Sequence, residues 1–207
     1  MLKRSLNIAV SLLLITLTFH PVADAEIGYV RLHLNAFLCG SHCVNEISHA
    51  LKAFNDEFQT TNIDRENRSV TILPKPKTYF HLYDIRQELQ NAGRPPWKIE
   101  VVVTGEVVDY NKTYSGGHSH PRKAVKVTTG KRKESQLLFI LMEDDERDKL
   151  LDFVAAGHKE VRIAGEIPVF EEKNLPVLIV KNFVDAKAEK KKANKGVNPC
   201  NPCSGKK

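Results

Sequence analysis

The stretch IGYVRLHLNAFLCGSHCVNEISHAL, residues 27 to 51, predicts a strand, a loop with two cysteines and a helix in immediate succession. Residues 27 to 34 alternate apolar and polar side chains, which is typical of a half-buried strand. Over residues 42 to 58 the apolar positions recur every three or four residues, as on one face of an amphipathic helix. Cys39 and Cys43 therefore stand where a strand gives way to a helix.

The rest of the first half extends this order of elements. Residues 60 to 73, TTNIDRENRSVTIL, predict two strands joined by the polar turn DREN. Apolar residues at helical spacing between residues 79 and 89 predict a second helix, which Gly93 closes. The long β-rich run WKIEVVVTGEVVDY follows at residues 97 to 110. The resulting order, β-α-β-β-α-β, is that of a ferredoxin-like unit.

The second half has a different pattern, with five predicted strands and one helix. The strands are expected at residues 99–109, 123–129, 136–142, 159–167 and 175–183. The helix, at residues 145–157, lies between the third and fourth of them, which is the element order of an OB-like barrel. We therefore expect an α+β protein in which a ferredoxin-like βαββαβ domain, residues 26–104, precedes a small OB-like β-barrel domain, residues 105–186.

The first 25 residues have the pattern of a secretory signal peptide. Lys3 and Arg4 give a positive start, residues 8 to 19 form an uncharged apolar run, and ADA at residues 23 to 25 matches a cleavage site. The apolar run is shorter than the roughly 20 residues that a membrane span requires. We therefore predict an exported protein, periplasmic or secreted, that does not span the membrane.

The formal charge of the chain is +6, but it is concentrated at the two ends. The leader contributes +1 and the tail, residues 187 to 207, contributes +6, which leaves the body at −1. A near-neutral body offers no basic face for phosphates, so we expect no binding of nucleic acid. The lysine-rich tail lacks apolar periodicity and is expected to be disordered. It carries a second close cysteine pair, Cys200 and Cys203.

Two segments of the first half, LNAFLCGSHCVNEISHAL and YDIRQELQNAGRPPWKIEV, resemble the heavy-metal-associated domain family. The family includes small copper chaperones, the N-terminal modules of copper ATPases and the periplasmic mercury scavenger. The resemblance implies that Cys39 and Cys43 are two metal-binding thiolates, although the family usually has two residues between them and this chain has three. The second half resembles an OB-like domain found on some exported bacterial proteins, through VTGEVVDYNKTYSGGHSHPRKAV and LLDFVAAGHKEVRIAGEI.

The residues of the cysteine loop suit a soft metal ion. Cu(I) and Hg(II) prefer thiolate sulfur, and two sulfurs suffice for a near-linear site. A helix N-terminus favours the thiolate form of a cysteine placed there. A nitrogen from His42 or His33 would shift the preference towards Zn(II) or Cu(II). We expect Cu(I) first, with Hg(II) or Zn(II) as further candidates.

Two alternatives to metal binding remain open. In an oxidising compartment Cys39 and Cys43 can form a structural disulfide, which would leave a structural or interaction protein without a metal. The pair can also serve thiol–disulfide exchange, because CGSHC is similar to the CGHC of disulfide isomerases. A thioredoxin-like fold, however, needs a whole βα unit before its cysteines, and the mature chain leaves room there for one strand only.

No motif in the chain indicates catalysis. Sets of Ser, His and Asp, carboxylate pairs and phosphate loops do not occur in their required context, so we expect no enzyme. His118 and His120, in the loop sequence GGHSH, form a weaker candidate for metal binding. The expected function is soft-metal buffering or transfer through Cys39 and Cys43, with a metal transporter or an acceptor metalloprotein as partner.

Overall fold

The computed structural model describes residues 26–35, 41–76, 78–113, 119–128, 136–172 and 175–189. Within these ranges it contains eight strands, three α-helices of at least ten residues and one 3₁₀ turn. In chain order they are β1 (Glu26–Leu34), α1 (Ser41–Leu51), the 3₁₀ turn (Lys52–Phe54), β2 (Phe58–Asp64), β3 (Ser69–Pro74), α2 (Leu82–Asn91), β4 (Pro96–Thr113), β5 (Ser119–Thr128), β6 (Gln136–Leu141), α3 (Asp145–Ala155), β7 (Glu160–Glu172) and β8 (Leu175–Asp185).

The eight strands pair into one mixed sheet in the order β2-β3-β1-β4-β5-β6-β8-β7. All pairings are antiparallel except that of β6 with β8. β7 pairs with β4 as well as with β8, so the second half of the sheet closes on itself. The first half remains an open sheet that ends at β2.

The strand β4 holds the two halves together. It is 18 residues long and rich in valine, whose β-branched side chain favours extended backbone. Its residues 96–104 pair with β1 and its residues 106–113 pair with β5. On its other edge, residues 100–106 pair with β7. One strand therefore belongs to both halves of the molecule.

The predicted fold class, an α+β protein built from a ferredoxin-like βαββαβ domain and a separate small OB-like β-barrel domain, is wrong. The described residues are mostly β, and the strands of both halves form one large mixed sheet. The physical reason is β4, which continues without a break across residues 104 and 105, where the domain boundary was predicted. One continuous strand thus crosses the predicted boundary.

Gly105 lies where β4 changes its partner from β1 to β5. A Cβ atom at this position would overlap the carbonyl oxygen of Lys126 and lie 3.0 Å from Cγ1 of Val125. Only glycine lets the backbones of β4 and β5 approach this closely. The local sequence TGE inside a valine-rich strand thus marks the crossing point.

One cluster of buried apolar side chains runs through both halves. Val30 of β1 and Leu89 of α2 belong to it, as do Phe139 of β6 and Leu150 of α3. The helices α1 and α2 contact each other on the first half, and α3 contacts β8. The Asp144 side chain caps α3 by accepting a hydrogen bond from the Arg147 N–H at 2.8 Å, so this helix begins at a conventional N-cap.

Helix α1 is shorter than the periodicity predicted. The prediction extended it to residue 58, but it ends at Leu51, and Phe58 begins β2. Between them the N–H groups of Asn55 and Glu57 bond to carbonyls three residues earlier, which tightens the backbone and ends the helix. Phe54 and Phe58 are nevertheless both buried, because the turn keeps both side chains on the core. The periodic pattern therefore predicted burial but not the end of the helix.

The two ends of the chain fall largely outside the described residues. The predicted signal peptide, residues 1–25, and most of the predicted tail lie there. Residues 186–189, at the start of that tail, are helical, and Glu189 lies 3.6 Å from Arg162. Among the residues that the structure describes, no helix is both long enough and apolar enough to cross a membrane.

Candidate functional site

Cys43 lies on the inner face of α1 and has 0 % exposure. It shares this face with Ile47 and Leu51, which belong to the main core. Its sulfur is in a disulfide bond. The other three cysteines of the chain, Cys39, Cys200 and Cys203, all lie outside the described residues. Of the two predicted metal ligands, the structure therefore places only Cys43.

The start of α1 provides a favourable electrostatic setting for sulfur chemistry. The helix begins at Ser41, so Cys43 lies in its first turn, and no acidic residue lies there. The unpaired N–H groups and the helix dipole give this end a partial positive charge that stabilises a thiolate over a thiol. Acidic residues in this first turn would weaken the stabilisation of a thiolate.

His42, the adjacent residue, faces away from Cys43. Its side chain is 73 % exposed, and its Nε2 lies 3.1 Å from Oε1 of Glu46. The other oxygen of Glu46 accepts a hydrogen bond from Nη2 of Arg94 at 2.6 Å. Glu46 thus joins the outer face of α1 to the segment after α2. The structure does not bring His42 towards the sulfur of Cys43.

His33 lies on the sheet face opposite α1. Its neighbours Leu32 and Leu34 belong to the core under the helices, and side chains alternate along a strand. The His33 Nε2 lies 3.3 Å from Oε2 of Glu100. Burial opposes ionisation of Glu100, but hydrogen bonds from Lys98 and His33 outweigh it and lower the pKa of this carboxyl group. His33 therefore contacts the Glu100 carboxylate rather than the cysteine loop.

Clusters of three or more His, Cys, Asp or Glu side chains suited to a metal ion do not occur among the described residues. His118 lies outside those residues, and the side chain of His120 is not described either. The weaker GGHSH candidate therefore stays a prediction.

A second candidate site, which the sequence did not predict as a site, is a groove in the second half. It has a volume of 770 Å³ and lies between β5, the end of β6 and α3. Six of its lining residues are Asp109, Arg122, Ile140, Met142, Arg147 and Val177. We call it the α3 groove. The run LLFILM at the end of β6 was the available signal, because a strand that is apolar at every position has both faces covered or in contact with a ligand.

Comparison with protein-family models, with curated proteins and with solved structures finds no match to this chain. The resemblances to the heavy-metal-associated domain and to an exported OB-like domain therefore stay predictions. Any functional proposal has to be argued from the residues and contacts described above.

Proposed function

We propose that this chain is an exported, non-catalytic protein that binds one soft metal ion through Cys39 and Cys43 and buffers or transfers it. Cu(I) is the first candidate, and Hg(II) and Zn(II) follow. The observation that carries the proposal is the disulfide of Cys43. A disulfide requires a second cysteine sulfur in bonding contact, so its reduction by a dithiol leaves two thiols side by side.

Cys39 is the natural partner because it lies four positions before Cys43 in the same loop-to-helix segment. Because α1 begins at Ser41, a bridge between these two cysteines would join the end of the loop to the first turn of the helix. Reduction adds two electrons and two protons, and metal binding then displaces both protons. Cys43 lies in the first turn of α1, where thiolates are favoured, and Cys39 precedes the first residue of this helix by two positions in the sequence.

The surroundings of Cys43 favour a two-coordinate ion over a tetrahedral one. Zn(II) in a structural site takes four ligands, usually Cys or His. His42 and His33 are engaged with Glu46 and Glu100 on other faces of the molecule. Cu(I) and Hg(II) accept two thiolates alone, and the complete burial of Cys43 keeps water away from one side of such a site.

The proposed role in transfer names a partner class, a metal transporter or an acceptor metalloprotein. A two-coordinate ion passes between proteins by thiolate exchange, in which an incoming thiolate binds before an original one leaves. Export would place the protein in an oxidising compartment, where the disulfide of Cys43 is the expected resting form. Metal uptake would then depend on a reductant.

The test is an anaerobic titration of the dithiol-reduced chain with Cu(I) in competition with a Cu(I) chelator. We expect about one Cu(I) per chain, and none when Cys39 and Cys43 are both changed to Ser. The matched control is Cys200→Ser with Cys203→Ser, which removes the same number of thiols and should leave the stoichiometry unchanged. If the Cys39/Cys43 double variant titrates like the wild type, the proposal fails.

A second candidate, a structural or interaction protein stabilised by a Cys39–Cys43 disulfide, rests on the same residue in its oxidised form. Cys43 is fully buried and is already bonded through sulfur. In this case the reduced chain would bind no Cu(I) under the same titration, while reduction would still lower the stability of α1. The third reading, thiol–disulfide exchange, would instead show oxidation or reduction of a dithiol peptide by the chain.

A further inference from the structure

The floor of the α3 groove is apolar. Ile140 and Val177 are buried and belong to a small cluster separate from the main core. Met142 follows β6 directly and is 44 % exposed, which makes it one of the few exposed large hydrophobic residues among those the structure describes. Methionine adapts its shape to different apolar partners. Met142 therefore offers contact to an apolar side chain of a ligand.

Each cation that lines the groove already contacts a carboxylate. Lys123 Nζ lies 2.6 Å from Asp109 Oδ1, and Arg122 pairs with Glu171. Arg147 contacts both Glu143, at 3.3 Å, and Asp148, at 2.7 Å. These cations are partly shielded, the Arg147 side chain being 20 % exposed, whereas Asp109 and Glu143 are 74 % and 79 % exposed.

Three carboxylates and three cations line the groove, and among the described residues beside it the start of α3 adds a surplus of carboxylates. Asp109, Glu143 and Glu171 line the groove, and the start of α3 adds Asp144, Asp145, Glu146 and Asp148. The cations among the described residues here are Arg122, Lys123, Arg147 and Lys149. Since the outermost charges are negative, the mouth of the groove attracts cations and repels phosphate.

We propose that the α3 groove binds a cationic amphipathic peptide segment of a partner protein. Its apolar side chains contact the exposed Met142, next to the buried Ile140 and Val177, and its Lys or Arg side chains contact Asp109 and Glu143. The class of ligand follows from charge complementarity. An acidic mouth around an apolar floor matches a peptide segment that carries basic residues on one face and apolar residues on the other. This site is separate from the cysteine pair and does not depend on metal binding.

The probe for the test is a short fluorescein-labelled peptide of Lys and Leu, measured by fluorescence anisotropy with the full chain at about 0.15 M salt. A labelled peptide of the same length with Glu in place of Lys is the control. We expect the Lys peptide to bind at least about tenfold more tightly than the Glu peptide, as the charge at the mouth requires.

Two variants locate the binding. Glu143→Lys reverses an exposed charge of the mouth, and Met142→Gln removes apolar contact, so each should weaken the Lys peptide by about fivefold or more. Glu66→Lys makes the same charge change in the exposed turn between β2 and β3 and should have no effect beyond about twofold. Asp109→Asn is the second charge variant if thermal melting shows that Glu143→Lys is unfolded.

Several outcomes would overturn the proposal. If Glu143→Lys and Glu66→Lys weaken binding of the Lys peptide equally, the peptide is held by the overall charge of the protein and not by the groove. Equal affinity for the Lys and Glu peptides would remove the charge argument, and no measurable binding of the Lys peptide would remove the site. Tighter binding of a labelled single-stranded oligonucleotide, lost in Met142→Gln, would assign the groove to nucleic acid instead.

Discussion

The two halves of this molecule close their sheets in different ways. In the first half, β1 to β3 and the start of β4 carry α1 and α2 on one face, and these helices cover the core. In the second half, the end of β4 and β5 to β8 form a sheet that closes on itself. The helices leave Cys43 without solvent contact, whereas the closed sheet leaves an open groove beside α3.

This difference bears on what each half can bind. A buried sulfur under a helix suits a single ion selected by its ligand atoms, because water and larger molecules do not reach it. An open groove with an apolar floor and a charged mouth suits an extended ligand selected by charge and shape. The main apolar core runs through both halves, and the groove residues Ile140 and Val177 form a small separate cluster.

The largest expected effect on stability comes from the residue at which the halves meet. Gly105→Ala should lower the free energy of unfolding by about 3 kcal/mol, because the new methyl group overlaps the carbonyl of Lys126 and forces β4 and β5 apart. Urea unfolding followed by tryptophan fluorescence and by circular dichroism would measure it. The two unfolding curves should shift to the same lower urea midpoint. Trp97 reports on the first half and the ellipticity reports on the whole sheet, and β4 joins the two halves.

The control for this prediction is Gly28→Ala in β1. The nearest atom to its new methyl group is Cγ1 of Val102 at 3.3 Å, which has to move by only a few tenths of an ångström, so the loss should stay below about 1 kcal/mol. If Gly105→Ala instead produced two separate transitions, the halves would be independent folding units, and the comparison would become one between two domains.

The second largest effect on the free energy of unfolding comes from reduction of the disulfide. This bond lies within the first half alone if Cys39 is the partner of Cys43. Opening a loop of this size should cost about 2 kcal/mol, whereas a bridge from Cys43 to Cys200 or Cys203 would cost about 5 kcal/mol on reduction. Urea unfolding with and without a dithiol measures the difference. The Cys200→Ser, Cys203→Ser variant should respond like the wild type; a lost response would assign the bridge to the tail.

The smallest effect concerns pH and the end of β8 in the second half. The hydrogen bond that Nδ1 of His158 donates to Asp185 at 2.6 Å lowers the pKa of Asp185, and the N–H groups of Ala188 and Lys187 lower it further. A lowered pKa in the folded state adds stability above the unfolded value of about 3.9, and this stability disappears as the pH falls through the folded value.

Asp185→Asn should therefore destabilise the protein by about 1 kcal/mol at neutral pH, and by progressively less below about pH 4. Thermal melting across this pH range measures the difference between variant and wild type. Asp56→Asn, an exposed position before β2, serves as the control with no expected change. A pH-independent difference would mean that Asp185 acts by packing rather than by charge.

Much of the local structure follows from the residue pattern, and the errors have specific causes. The alternation over residues 27–34 predicted β1, and Gly93, at φ +72°, ends α2 as expected. The fold class failed because the valine-rich run from residue 97 was divided between two domains, although nothing in its composition marks an end. Strand pairing depends on residues that lie far apart in the chain. The sequence of this apolar run therefore does not show whether it forms one long strand or two shorter ones.

The sites were predictable to different degrees. A cysteine pair at a strand-to-helix junction is visible as a motif, but the burial of Cys43 and the outward direction of His42 depend on how α1 lies on the sheet. The α3 groove combines β5, β6, β8 and α3, which lie far apart in the chain. The acidic segment EDDERD was recognisable at once, but its apolar neighbours Met142 and Val177 were not recognisable as a floor.

The shared strand also determines how the protein can be divided for production. A cut between residues 104 and 105 would leave the N-terminal piece with the edge of β4 that normally pairs with β7, at residues 100–104. The C-terminal piece would carry the complementary exposed edge, at residues 162–166 of β7. Unpaired strand edges of this kind associate with one another and with other chains. Fragments cut there are expected to aggregate when expressed alone and to recombine when mixed, as two pieces of one sheet.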